Sequence, residues 1–140
     1  MKVLFDTNII LDVLLQRESF FVPASNLMSH VEQKKVQGFL GATTVTTLFY
    51  LMAKKLGKTA AQQNLELLLK LFTVAAVDEA GIKYALTANF KDFEDAVLYS
   101  AAKMIGCDAI VTRNIKDFKN SSIPVYAPEE LLAILSSYTL

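Results

Sequence analysis

Three short stretches of this chain carry oxygen-bearing side chains in places where carboxylates can do metal chemistry. They are Phe5-Asp6-Thr7-Asn8 near the amino end, Phe93-Glu94-Asp95-Ala96, and Thr112-Arg113-Asn114 with Asp117 shortly after. Asp6 closes a short apolar run and leads straight into the helical pattern Ile9 to Leu15. In a parallel α/β sheet, ligands bind beyond the carboxyl ends of the strands, so Asp6 has the position of an active-site residue. Asp95 lies in the first turn of another helical stretch, and Asn114 and Asp117 follow another strand. Acidic points at several element ends suggest a cage for a hard divalent cation, which takes oxygen ligands, polarises a phosphate and lowers the pKa of water. The same carboxylates repel one another when no cation is present.

Each stretch also has a structural explanation. Asp6 or Asn8 can cap the following helix. Glu94 and Asp95 suit the first turn of a helix headed by Asp92, where the macrodipole favours negative charge. Asn114 and Asp117 are ordinary turn residues. Three acids within positions 92–95 are nevertheless more than a cap needs.

Short apolar runs alternate with longer stripes at helical spacing, the signature of βαβ units and a mostly parallel sheet. Strands are expected at Val3 to Phe5, Gln37 to Leu40, Thr73 to Val77, Ala109 to Thr112 and, weakly, Val125 to Tyr126. Helices are expected near Ile9–Leu15, Pro23–Lys35, Thr44–Leu56, Ala60–Phe72, Glu79–Asn89, Phe93–Ile105 and Glu129–Ser136. Gly38, Gly57 and Gly106 read as helix-ending glycines, and Asp78, Asp92 and Pro128 as helix starts. On the helix from Phe93, the stripe Phe93, Ala96, Val97, Ser100, Ala101 and Met104 is expected to face the core.

At 140 residues the chain reads as one domain, large enough to need no disulfide. No apolar run reaches the roughly 20 residues that span a bilayer, so no membrane partner is expected. The amino end enters a strand pattern directly rather than a signal segment, so a cytoplasmic protein is expected. Cys107 is the only cysteine and His30 the only histidine; the first reads as a buried structural thiol and the second as a surface residue. The formal charge is zero, so any nucleic-acid contact must be local. Lys34 with Lys35, and Lys54, Lys55 and Lys58, fit solvated helix ends, whereas Arg113, Lys116 and Lys119 bracket Asp117. Hydrophobic residues make up 53% of the chain, and Leu48, Phe49, Met52 and Leu65 to Phe72 suggest an apolar face used in self-association or partner binding.

The ordered set Phe5-Asp6-Thr7-Asn8 with Asp12, Phe93-Glu94-Asp95-Ala96, Val111-Thr112-Arg113-Asn114 with Asp117-Phe118, and the closing Pro128-Glu129-Glu130-Leu131-Leu132 resembles the PIN-domain ribonucleases. Within them it is most like the VapC-like toxins of bacterial and archaeal toxin–antitoxin pairs. The resemblance spans nearly the whole chain. It implies a three-layer α/β/α PIN-like fold over residues 1–140, with a central, mostly parallel sheet of four to five strands. It also implies an endoribonuclease dependent on Mg²⁺ or Mn²⁺ and neutralised by a small antitoxin protein, with a homodimer expected.

By this resemblance Asp6 and Asp95 are direct metal ligands, with Asn114 or Asp117 completing the set through the metal or a bound water. Asn8 would orient Asp6, and Thr112 would offer a hydroxyl near the carboxylates or the scissile phosphate. Asp12, one turn beyond Asn8, has a capping or Arg17-paired role open beside a catalytic one. Arg113, Lys116 and Arg17 would hold the RNA backbone. The sequence departs from the family at the helix after the second strand, where Thr47 stands in place of an acid and Glu94 is the candidate to compensate. That departure keeps a second reading open, a degenerate module that binds RNA or protein without cutting. A phosphatase of the haloacid dehalogenase type also begins with a strand-end aspartate, but it wants a second acid two residues on, where this chain has Asn8. No glycine-rich phosphate loop follows any strand, which sets nucleotide-binding folds aside.

Overall fold

The structure, a computed structural model, describes residues 1–137. Five parallel strands form one sheet in the order β3-β2-β1-β4-β5: β1 (Lys2–Phe5), β2 (Gln37–Gly41), β3 (Thr73–Ala75), β4 (Ala109–Val111) and β5 (Val125–Tyr126). The helices are α1 (Thr7–Leu14), α2 (Phe21–Glu32), α3 (Ala42–Leu56), α4 (Lys58–Leu71), α5 (Glu79–Thr87), α6 (Phe93–Ile105) and α7 (Pro128–Ser137), with a short 3-10 helix at Ile115–Phe118.

Strand β1 lies at the centre, with Val3 opposite both Gly38 and Ala109. Its residues Val3, Leu4 and Phe5 are fully buried, because a central parallel strand is covered on both faces and cannot alternate apolar with polar. Val3 and Phe5 face one layer with Ile9, Ile10, Leu27, Leu48 and Leu131, whereas Leu4 and Ile110 face the other with Leu98, Tyr99 and Ala101. The result is an α/β/α sandwich. The chain leaves β1 toward β2 and β3, then returns to place β4 on β1's other side. That reversal opens a crevice at the carboxyl ends of β1 and β4, the place where this class of sheet binds ligands.

Asp78 and Asp92 cap α5 and α6, accepting from Gly81 N (2.8 Å) and Asp95 N (3.1 Å), and Gly106 ends α6 at φ 76°, as the sequence suggests. Gly57 likewise ends α3. Gly38 does not end a helix: it sits inside β2, where a Cβ would lie 2.6 Å from the Phe72 ring. Lys34, at φ 60°, makes the left-handed turn beyond α2 instead. Strand β3 stops at Ala75 rather than Val77, and α5 stops at Thr87 rather than Asn89.

Two expectations about packing need correction. Phe93 and Met104 at the ends of the α6 stripe are exposed, and Leu98, Tyr99 and Ala102 are buried in their place. The middle of α6 is enclosed by the sheet, α5 and the 3-10 helix, so burial is not confined to one stripe. Leu48 and Met52, expected on an association surface, are fully buried in the core. Cys107 is buried, and burial pushes its thiol up to about 11.

Candidate active site

The crevice holds a cavity of about 200 Å³ whose wall includes Asp6, Asn8, Thr47, Glu94, Asp95 and Asn114. Strand β1 delivers Asp6, the helix α6 delivers Glu94 and Asp95 from its first turn, and the segment after β4 delivers Asn114. No basic side chain lines this space.

Asp6 is both the N-cap of α1 and a wall of the cavity. Its Oδ1 accepts from Thr7 N at 2.8 Å and its Oδ2 from Thr112 Oγ1 at 2.7 Å. Thr112 is completely buried, and its Oγ1 also accepts from Asn114 N at 3.0 Å. One hydroxyl therefore fixes Asp6 and the start of the loop carrying Asn114. Burial raises the Asp6 pKa, the two hydrogen bonds pull it down, and the charge of Asp117 adds to the rise.

Asp95 has no such support: among the described residues no donor bonds its carboxylate. Burial pushes its pKa up to about 7, reinforced by the charges of Asp6, Asp92, Asp117 and Glu94. Asp6 and Asp95 repel each other; two donors offset the rise at Asp6, whereas Asp95 has none among the described residues.

The structure thus brings together Asp6, Asn8, Thr47, Glu94, Asp95 and Asn114, with Thr112 directly behind. Asn8 lines the cavity, but the atoms that orient Asp6 are Thr112 Oγ1 and Thr7 N. Thr47 faces the cavity from α3 as expected, and α3 contributes no acid. Asp117 and Lys116 line a second cavity instead, although the charge of Asp117 reaches both Asp6 and Asp95.

Asp12, Arg17 and Arg113 form a separate cluster. The Asp12 side chain is buried and takes Arg113 Nε at 2.7 Å on one oxygen and Arg113 Nη2 at 3.2 Å on the other. Arg17 Nη1 lies 3.5 Å from the same carboxylate, the pairing the sequence left open. The Arg113 guanidinium also stacks 3.9 Å from the Phe20 ring centroid. Arg113, expected on RNA, is therefore committed to Asp12, and Asp12 lies outside the acidic cleft. Only folding reveals this pair, because its members are 101 residues apart. Sequence reading also missed the contact of Thr7 Oγ1 with the buried Thr44 Oγ1 (2.9 Å), which ties α1 to α3 beside the cavity. Two threonines carry no sequence signal that they will meet.

The donors fit a hard cation only in an open arrangement. Every polar donor in the cleft is oxygen or an amide, and the carboxylates are short of positive charge. Among the described residues no three His, Cys, Asp or Glu side chains converge as a closed metal cage. Mg²⁺ is characteristically held by one or two carboxylates while keeping several waters, and the cleft presents the carboxylates of Asp6, Glu94 and Asp95.

A parallel sheet with an acidic crevice at its topological switch point, lined by carboxylates from the end of β1 and from α6, places oxygen ligands where this class of sheet binds its ligands. The PIN domain model matches residues 2–116, and the chain belongs to the PIN domain family. It is similar to ribonuclease VapC1 of Aquifex aeolicus (strain VF5), 26% identical over 134 residues that cover 92% of each protein. Among solved structures, FitAcB from Neisseria gonorrhoeae is 25% identical at a TM-score of 0.70, covering 91% of this chain and 98% of the other. VapBC2 from Rickettsia felis bound to a promoter DNA fragment shares the fold, with a TM-score of 0.68 at 19% identity over 91% of this chain and 98% of that one.

Proposed function

We propose that this PIN-domain chain is a Mg²⁺- or Mn²⁺-dependent endoribonuclease of the cytoplasm, the toxin of a toxin–antitoxin pair. The observation that carries the reading is the meeting of Asp6 and Asp95 in one solvent-open cleft at the carboxyl end of β1. The ribonuclease similar over 92% of this chain supports the reaction class, and the toxin–antitoxin complexes that share the fold support the partner. No helix among the described residues is long and apolar enough to cross a membrane.

In this mechanism Asp6 and Asp95 would hold the cation, and Asn114, Glu94 and Thr47, which line the same cavity, would hold waters beside it. The bound cation supplies charge to polarise the phosphate and to acidify water. Thr112 and Thr7 N lock the Asp6 carboxylate in one orientation, so Asp6 needs no rearrangement on binding. A positive charge in the cleft would oppose the rise in the Asp95 pKa and favour its ionised form. Asp117 acts from the neighbouring cavity through its charge. Lys116, exposed at the rim, contacts the RNA backbone; Arg17 and Arg113 brace the loops through Asp12.

Tyr50, Leu56, Leu67 and Leu69 expose large apolar side chains on α3 and α4, a surface suited to the antitoxin and to a second copy of the chain. The reaction is tested with purified wild type, Asp6→Asn and Asp95→Asn on single-stranded RNA with Mg²⁺, Mn²⁺ or EDTA. Cleavage by the wild type in either metal, its loss in EDTA and its loss in both variants is expected. Cleavage in EDTA, or full activity in both variants, refutes the site. RNA binding with no cleavage under any condition points instead to the non-cutting module.

A further inference from the structure

Two residues past Asn114, at the wall of the acidic cleft, the 3-10 helix turns Lys116 toward a second cavity of about 390 Å³. Its lining brings in Lys91 from the α5–α6 loop and Lys119 from just beyond the 3-10 helix. All three lysines are exposed, and none has an ion-pair partner among the described residues, Asp117 included. Their positive charge is therefore unpaired, whereas Arg17 and Arg113 share the single carboxylate of Asp12.

The cavity is built before anything enters it. The Asn120 side-chain amide donates to the Asn89 carbonyl, tying the α5–α6 loop to the loop after the 3-10 helix, with Asn89 itself held at φ 62°. Phe90 is fixed behind the loop, stacked on Tyr99 at 5.0 Å and edge-on to Phe118 at 5.8 Å. The lysines thus stand around a preformed space instead of dispersing over a mobile surface.

The acidic cleft next door has the opposite character, with no basic residue in its lining. A polyanion placed across that cleft needs cationic contacts for its flanking phosphates, and the nearby arginines are already paired. Lysine is a compact point charge that binds phosphate without the planar bidentate geometry that reads a particular base. We propose that this cavity seats an RNA backbone phosphate adjoining the scissile one, held by Lys91, Lys116 and Lys119 independently of base identity, an inference that rests on the ribonuclease reading above.

The test uses the full chain in EDTA, so that neither cleavage nor metal contributes, and a short single-stranded RNA as probe. Binding is measured against salt concentration for the wild type, Lys91→Gln/Lys119→Gln, and a control Lys34→Gln/Lys35→Gln. The control lysines precede β2 and so lie at the amino end of the sheet, opposite the carboxyl ends that form the cleft. Each lost phosphate contact on a single strand reduces the slope of log K against log salt by about 0.7. The pocket variant is expected to bind more weakly, with a slope smaller by about 0.7 for the one phosphate lost, while the control keeps the wild-type slope and both retain the wild-type melting temperature. A wild-type slope in the pocket variant, or an equal loss in the control, overturns the subsite and leaves the ribonuclease reading standing. A wild type with no affinity for RNA in EDTA also overturns the subsite, and the cleavage assay in Mg²⁺ and Mn²⁺ decides the ribonuclease reading separately.

Discussion

Replacing Asp95 by asparagine should stabilise the metal-free protein, and the effect should switch on with pH. Asp95 titrates near 7 in the folded chain against 3.8 for an ordinary aspartate, because burial and four neighbouring acids oppose its charge. Between those two values the unfolded chain is ionised at this position while the folded chain keeps its proton. The unfolded state then binds fewer protons, so the contribution of Asp95 to stability, full below about 4, declines as pH rises and is gone above about 7. At about 1.4 kcal/mol per pH unit, the interval from 3.8 to about 7 is worth roughly 4 kcal/mol for an enclosed carboxylate. Asp95 opens onto the cleft, so solvent screening cuts this to about 1–2 kcal/mol. For a chain of this size that is about 3–6 °C in melting temperature. The assay is thermal unfolding of wild type and Asp95→Asn in EDTA at pH 4.5 and pH 8. The variant should melt higher by that amount at pH 8 and nearly level with wild type at pH 4.5. Added Mg²⁺ should then raise the wild type more than the variant, since the ion stabilises only the state that binds it. A variant that melts lower at pH 8, or an offset equal at both pH values, refutes the claim that repulsion in the cleft is what Asp95 relieves.

Thr47→Glu should place a further carboxylate in the same space, lowering the melting temperature in EDTA by a few degrees and enlarging the Mg²⁺-induced rise. An unchanged Mg²⁺ response would show that position 47 does not reach the ion. Asp12→Asn removes the partner of two arginines from a buried site and should cost about 3–5 kcal/mol, read by chemical denaturation. Arg113→Ala in the Asp12→Asn background should cost much less than Arg113→Ala alone, and full additivity in that double-mutant cycle would refute the coupling.

The order of elements, the parallel character of the sheet and the placement of Asp6 are legible in the sequence because they rest on local information. A central parallel strand must be apolar throughout, as Val3-Leu4-Phe5 is, and a carboxylate at its end has few places to go. Asp78 and Asp92 announce their helices through bonds that span three residues. Gly38 misled because a glycine after a helix and a glycine required by an approaching ring look alike in a sequence; the Phe72 ring that demands it comes 34 positions later.

What tertiary structure alone decided is which charged residues meet. Asp6, Asp95 and Asn114 share a cavity because β4 returns beside β1, whereas Asp12 points into the protein and takes Arg113 away from the cleft. Lys91 joins Lys116 and Lys119 only because the α5–α6 loop is bonded to Asn120. Helical and strand periodicity set the face on which a side chain emerges, but pairing between distant segments depends on sheet order and loop packing, which no local window contains.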